Sequence, residues 1–198
     1  MMLSEVAPVA QSALPVAAFR DHLRLGSGFA DDGVQDALAE SYLRAAIAAI
    51  EARTGKALIE REFVLELERW RWPDVQALPV APAVSVRSVT MLDREGVASL
   101  VDPSAYRLVR DVQRSRIVAV GSLLPVVPDG GRVEIVFSAG FGPGWADVPA
   151  DLAQAVFLLA AAYHENRHET GTVRGLPAGV LALIERWRTV RVLGGGAA

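Results

Sequence analysis

Arg132-Val133-Glu134-Ile135-Val136-Phe137-Ser138-Ala139-Gly140-Phe141-Gly142-Pro143-Gly144 runs on to Pro149-Ala150-Asp151-Leu152, and the change of period along this stretch decides the fold. Val133, Ile135 and Phe137 recur every second residue, the period of a strand. Pro128-Asp129-Gly130-Gly131 supplies a turn before them, and the Gly/Pro run after them closes the β region. From Pro149 onward Leu152, Val156, Leu159 and Tyr163 recur at helical spacing. Phe157, Leu158 and four alanines lie off that stripe. A helix apolar nearly all round is expected to be buried on several sides, as the centre of the fold or as a subunit interface.

Upstream of this stretch the strand period persists. Phe63, Leu65 and Leu67 alternate with Glu62, Glu66 and Glu68, which suits a sheet with one wet face. Val84 and Val86 set one phase and Val89 and Met91 the other, so Arg87-Ser88 predicts a bulge or a strand changing partners. Asp93-Arg94-Glu95-Gly96 predicts a hairpin turn, and short strands follow near Tyr106 to Val109 and Arg116 to Val120. The three prolines from Pro73 to Pro82 predict an extended link. Nearer the start the period is helical. Pro15 opens a short helix carrying Val16, Phe19, Leu23 and Leu25. Asp31-Asp32-Gly33 opens a long one with Val34, Leu38, Tyr42, Leu43, Ile47 and Ile50 as its stripe and Gly55 as its stop. At 1.5 Å per residue it spans roughly 33 Å. After the central region, Pro177 opens a last helix with Val180, Leu181, Ile184 and Trp187; the glycines at 194, 195 and 196 predict a flexible tail. The expected class is α+β, a bundle of N-terminal and C-terminal helices with an inserted antiparallel β-sheet or small sandwich. The expected parts are 1–57, 58–147 and 148–198, making one domain overall.

Composition narrows the function classes. The chain has 198 residues, a net charge of −3 and no cysteine. A dedicated duplex-DNA binder needs a basic surplus to neutralise phosphates, and none is present. Disulfides, thiolate metal sites and cysteine nucleophiles are absent by composition. The longest apolar stretch, Leu152 to Tyr163, is too short to span a bilayer, and Glu5 stands where a secretory signal would be basic. No membrane association is expected.

One motif points to chemistry. His164-Glu165-Asn166-Arg167-His168 matches H-E-x-x-H, in which two histidines on one helix face hold zinc and the glutamate acts as base. A catalytic zinc needs a third protein ligand. The position that completes the longer pattern is Arg174, the one other histidine is His22, and Glu185 sits on an ordinary helix. Arg167 inside the motif sets a cation beside a dication. Histidine and arginine at a helix C-terminus have a simpler role in complementing its negative end. The zinc site at His164, Glu165 and His168 is therefore set aside, and no cofactor or catalytic residue is expected. Trp70 and Trp72, with Arg69 and Arg71, have the types that stack on nucleic acid, but such residues more often cover a sheet edge with arginine over tryptophan. Trp187 with Arg186, Arg188 and Arg191 makes a basic, aromatic end suited to an acidic partner.

The order of segments says more than any one of them. Ile50-Glu51-Ala52-Arg53-Thr54-Gly55-Lys56-Ala57-Leu58-Ile59 ends the long helix. Leu78-Pro79-Val80-Ala81-Pro82 and Val84-Ser85-Val86 follow. Then come Val133 to Gly142, Val148-Pro149-Ala150-Asp151-Leu152, Tyr163 to Arg167, and Leu176-Pro177 through Trp187-Arg188. In this order, from about Asp31 to Arg188, the chain resembles the head–tail connector (adaptor) family of long-tailed phages and gene transfer agents; Asp102 to Asp129 carries little of it. The resemblance implies a structural subunit of the particle neck, made in the bacterial cytoplasm. It implies a ring of identical copies, usually twelve, between the portal protein and the next neck (stopper) protein. DNA would pass through the ring without sequence readout, and the acidic balance would keep the channel from gripping it. It also implies portal contact through the C-terminal helix and tail, here Trp187, Arg188 and Arg191. The Ala, Arg, Val and Gly bias suits a GC-rich proteobacterial source. A zinc peptidase and a monomeric binding domain are the alternative readings.

Overall fold

The computed structural model describes residues 1–23, 32–166 and 175–188. Four helices are described: α1 Val16–His22, α2 Asp32–Thr54, α3 Ala150–Glu165 and α4 Ala178–Ile184. Eight strands lie before and between them: β1 Met2–Glu5, β2 Arg61–Leu67, β3 Val75–Ala77, β4 Ala83–Leu92, β5 Ala98–Leu100, β6 Tyr106–Val109, β7 Arg116–Ala119 and β8 Arg132–Ala139. The expected α+β class, with β-structure inserted between helical ends, is the one observed.

The helices share one core. α3 packs against both α2 and α4. Leu152, Val156 and Leu159 are buried as the stripe requires, and Ala46, Ala155 and Ala160 are fully buried between the helices, where a small side chain lets backbones approach. Phe157 lies partly buried, stacked on Trp145 with ring centroids 5.5 Å apart. The stripe of α2 is rotated from the expected one. Leu38 is 44% exposed, and the buried line runs Ala39, Leu43, Ala46, Ile47 and Ile50. The alanines take the place on the core side that periodicity gave to the larger Leu38.

The strands form two antiparallel sheets, β1-β2-β8-β4-β5 and β3-β7-β6, around a second core. Phe63, Leu65, Ile135 and Phe137 come from the larger sheet, and Tyr106, Ile117 and Ala119 from the smaller, so this is a small sandwich with two outer faces. The register slips between Val86 and Ser88, as the change of phase predicts, and again between Ala83 and Ser85. The turn after β4 closes with Gly96 N–H donating to the Asp93 carbonyl at 3.1 Å. β1 had no periodic signal: four residues that pair with β2 from Met2↔Glu66 to Glu5↔Phe63 make the sheet's edge.

Helical and β cores meet at a waist formed by Gly55 to Arg61 and Gly140 to Gly142. Ala57 N–H donates to Ala81 O, Glu60 N–H to Gly142 O, and Gly140 N–H to Pro82 O. Gly140 crosses so close to Glu60 that a Cβ there would sit 2.3 Å from its Cα and N, at a φ of +148°. Arg61 clamps the crossing. Its two terminal nitrogens donate to both oxygens of Glu51 on α2, at 3.0 and 2.7 Å, and Nη2 also reaches Glu5 on β1 at 2.7 Å. Glu51 Oε1 accepts in addition the Leu58 N–H at 2.7 Å. Lys56 is buried here. Its amine donates to Gln113 O at 3.3 Å, burial pushes its pKa down, and Asp111 partly opposes that.

The Glu51–Arg61 pair is largely shielded from water, so deleting one partner strands the other's charge. Glu51→Ala is expected to cost about 3 kcal/mol of unfolding free energy in chemical denaturation. Gly140→Ala, which forces backbone apart, is expected to cost about 2 kcal/mol. A loss well under about 1 kcal/mol from either change would show that the waist does not hold the two cores together.

Candidate functional site

Two of the expected contact residues, Trp187 and Arg188, lie where the last helix returns to α3. The turn Glu185–Trp187 follows α4 directly. Trp187 is 8% exposed, its ring edge-on to Phe141 at 5.4 Å. Its indole N–H donates to Asp151 Oδ2 at 2.7 Å, and the same oxygen pairs with Arg186 Nε at 2.7 Å. The Arg186 guanidinium lies over the Trp187 ring, 4.6 Å from its centroid. Asp151 stands in the first turn of α3, where the helix dipole favours its charge. Its burial opposes ionisation, but hydrogen bonds from Trp187, Arg186 and the Leu152 N–H outweigh that and hold its pKa below the ordinary value.

Trp187 is thus seated in its own fold and fixes where the chain leaves it. Arg188 is exposed and ion-paired with Glu185 at 2.9 Å; Arg191 lies outside the described residues. Gln113, in the β6–β7 loop, donates to Arg186 O at 3.1 Å and ties this corner to the sandwich. An open depression of about 700 Å³ lies beside it, lined by Ala150, Asp151, Ala182, Leu183, Glu185 and Arg186. Sequence reading singled out Trp187 and Arg188 but missed Asp151 as the partner that seats Trp187. An aspartate in a first helical turn reads as a dipole partner, and its contact lies 36 residues away.

The other singled-out residues part company. His164 is in the last turn of α3, edge-on to Tyr42 at 5.8 Å, Glu165 is exposed, and His168 lies outside the described residues. His22 stacks on Phe19 and meets Phe157 at a tilt, in the helical core's margin. Among the described residues no three His, Cys, Asp or Glu side chains gather as a metal-holding group. Trp70 donates to Pro125 O at 2.7 Å, whereas Trp72 is 59% exposed. The arginine-over-tryptophan stack expected at 69–72 is found instead at Arg186 and Trp187.

Charges are unevenly paired. Arginines of the helices and of the larger sheet are ion-paired, Arg53 excepted. On and beside the smaller sheet, Arg69, Arg71, Arg107, Arg110, Arg114 and Arg116 form no ion pair among the described residues, although Arg116 acts electrostatically on Asp111. No helix of the described residues is long and apolar enough to cross a membrane.

No family model and no curated protein matches the chain. Solved structures do. The chain is similar to a chain in the neck of an empty gene transfer agent particle computed with C6 symmetry, with 61% identity and a TM-score of 0.90, covering 98% of this chain and 99% of that one. A chain in the virion of a native gene transfer agent particle is 60% identical over the same shares, with a TM-score of 0.87. A third, in the neck of the native particle computed with C12 symmetry, is 56% identical over the same shares, with a TM-score of 0.84.

A carboxylate with a depressed pKa stabilises the fold at neutral pH and loses that contribution as pH falls through its folded value. Asp151→Asn is therefore expected to cost about 1–2 kcal/mol at pH 7. The gap to the parent protein should narrow as pH falls below about 4. Thermal denaturation at both pH values checks this, and an equal gap at both would remove Asp151 from the role of seating Trp187.

Proposed function

Because the chain belongs to the head–tail connector (adaptor) family, whose members here stand in the neck of gene transfer agent particles, we propose that it joins the portal to the next neck protein as a closed ring of twelve copies. It is a structural subunit of the neck. The observation that carries this reading is 61% identity over 98% of the chain to a neck subunit. The C12 symmetry of the native relative's neck supports twelve as the copy number. DNA passes through such a ring without sequence readout, which fits a chain with no basic surplus.

In this reading the C-terminal segment starting at Trp187 and Arg188, and running on to Arg191, contacts the portal. The support is geometric. Asp151, Phe141 and Arg186 hold Trp187, so the segment departs from a fixed point. Preorganising the root of a binding segment lowers the ordering cost of docking. No step of the reading needs catalysis, and Glu165, exposed at a helix end, serves as a solvated surface charge.

Electron microscopy of the purified chain with its portal protein is expected to show a twelve-fold ring seated on the portal. Arg188→Glu with Arg191→Glu should weaken portal binding by at least about tenfold without lowering the melting temperature. A chain that stays monomeric beside the portal in every condition, or one that holds stoichiometric zinc and cleaves peptides through Glu165, would overturn the assignment.

A further inference from the structure

A closed ring of one chain needs two different patches on each subunit, complementary to one another. The sandwich presents two candidates, because its outer faces look away from a shared core.

The outer face of the smaller sheet is apolar at its centre and basic. The pairings Val75↔Val118, Ala77↔Arg116, Arg107↔Val118 and Val109↔Arg116 set these six residues on the side opposite the buried Ile117. Its valines are half-buried and its two arginines exposed. Val120, 60% exposed, continues the alternation beyond Val118.

The outer face of the larger sheet has the converse character. Val64↔Val136 forms an apolar centre, and Glu66 stands directly opposite Glu134. Like charges placed so are unfavourable in a sheet. Arg132 reaches Glu66 at 3.3 Å, and Glu134 forms no ion pair among the described residues. Through Met2↔Glu66 and Thr90↔Leu100 the same row carries Met2, 55% exposed, and Leu100, 70% exposed, at the sheet's two edges.

We propose that the outer face of the smaller sheet of one copy packs on the outer face of the larger sheet of the next copy, Arg107 and Arg116 lying against Glu66 and Glu134. This rests on the ring reading above and specifies its interface. An apolar centre with a charged rim is the ordinary anatomy of a protein–protein contact. Stacked sheets pack about 10 Å apart through such side chains. Pairing either face with its own kind would set arginine on arginine or glutamate on glutamate, so the contact runs head to tail and not two-fold. DNA is the poorer occupant even with Arg69, Arg71, Arg110 and Arg114 beside this face: phosphates gain nothing from the valines at its centre, and the acidic Asp74 immediately precedes β3.

The chain has no cysteine, so an introduced pair reports contact without background. Full-length Val118→Cys/Val136→Cys protein, assembled on the portal and treated with a bis-maleimide long enough to bridge the roughly 10 Å between stacked sheets, is expected to give a ladder of covalent multimers on denaturing gels. Each single-cysteine variant is expected to stay monomeric. Arg107→Glu/Arg116→Glu and Glu66→Arg/Glu134→Arg should each raise the concentration needed for ring assembly by at least about tenfold. The variant carrying all four changes should recover rings. Rings seen by electron microscopy without a cross-linked ladder overturn this interface and leave the ring standing. Absence of rings from the parent chain overturns both. Loss of DNA retention, with ring assembly intact, in Arg107→Glu/Arg116→Glu would assign the basic face to nucleic acid and overturn the proposal.

Discussion

The bidentate pair between Arg61 and Glu51 is the joint on which the rest of the molecule turns. Among the described residues no sheet packs across the helices to weld the two cores. What joins them is a short crossing of two chain segments at the waist. Glu51 comes from the last turns of the long helix, Arg61 opens the first central strand, and Glu5 brings the N-terminal edge strand to the same guanidinium. Burial weighs against the arginine's charge, yet the hydrogen bonds it donates to both glutamates outweigh that and leave it more firmly protonated than usual. A charge held between three elements fixes their relative placement in a way that apolar contact, which lacks direction, does not.

From that joint the functional surfaces follow. The strand carrying Ile135 and Phe137 runs into Gly140, crosses Glu60, and delivers Phe141 to the ring of Trp187. The same waist holds Lys56, whose buried amine grips the carbonyl of Gln113, and Gln113 in turn donates to Arg186. The root of the C-terminal segment is therefore positioned by helix and sandwich together. A subunit that presents its flanks to its own copies in a ring, and on the proposed reading one end to a portal, needs this coupling, since an error at the waist would misplace every docking surface together.

Much of this was legible in the sequence, where periodicity had long enough runs to act. α2 begins and ends within a residue of the expected bounds because caps and stop are local chemistry. The bulge at Arg87-Ser88 was readable as a phase change. What escaped were contacts made at long range by residues with ordinary local roles. Met2 to Glu5 is too short for alternation to register, and its pairing partner lies some sixty residues on. Asp151 has a sufficient local reason to be where it is, which hid its bond to Trp187. Lys56 follows the glycine stop of a helix, a place where lysine is usually solvated, and only the loop carrying Gln113 makes it buried. Leu38 shows the opposite failure. It matches the helical stripe in type and spacing, yet packing chose the smaller Ala39 and Ala46 and left the leucine outside.

That choice bears on function. A solitary domain under no other demand would turn Leu38 inward and set charges on its sheet faces so that neighbours attract. Here Leu38 is exposed, Met2 and Leu100 flank an opposed pair of glutamates, and unpaired arginines gather on the far face of the sandwich. Each feature alone costs a monomer a little. Taken together they have the form of surfaces whose partners lie on another molecule: apolar where water is to be expelled, and charged where register is to be fixed. In a ring the cost to each monomer is offset at every contact, and the stability of the neck becomes a property of the closed assembly more than of its subunits.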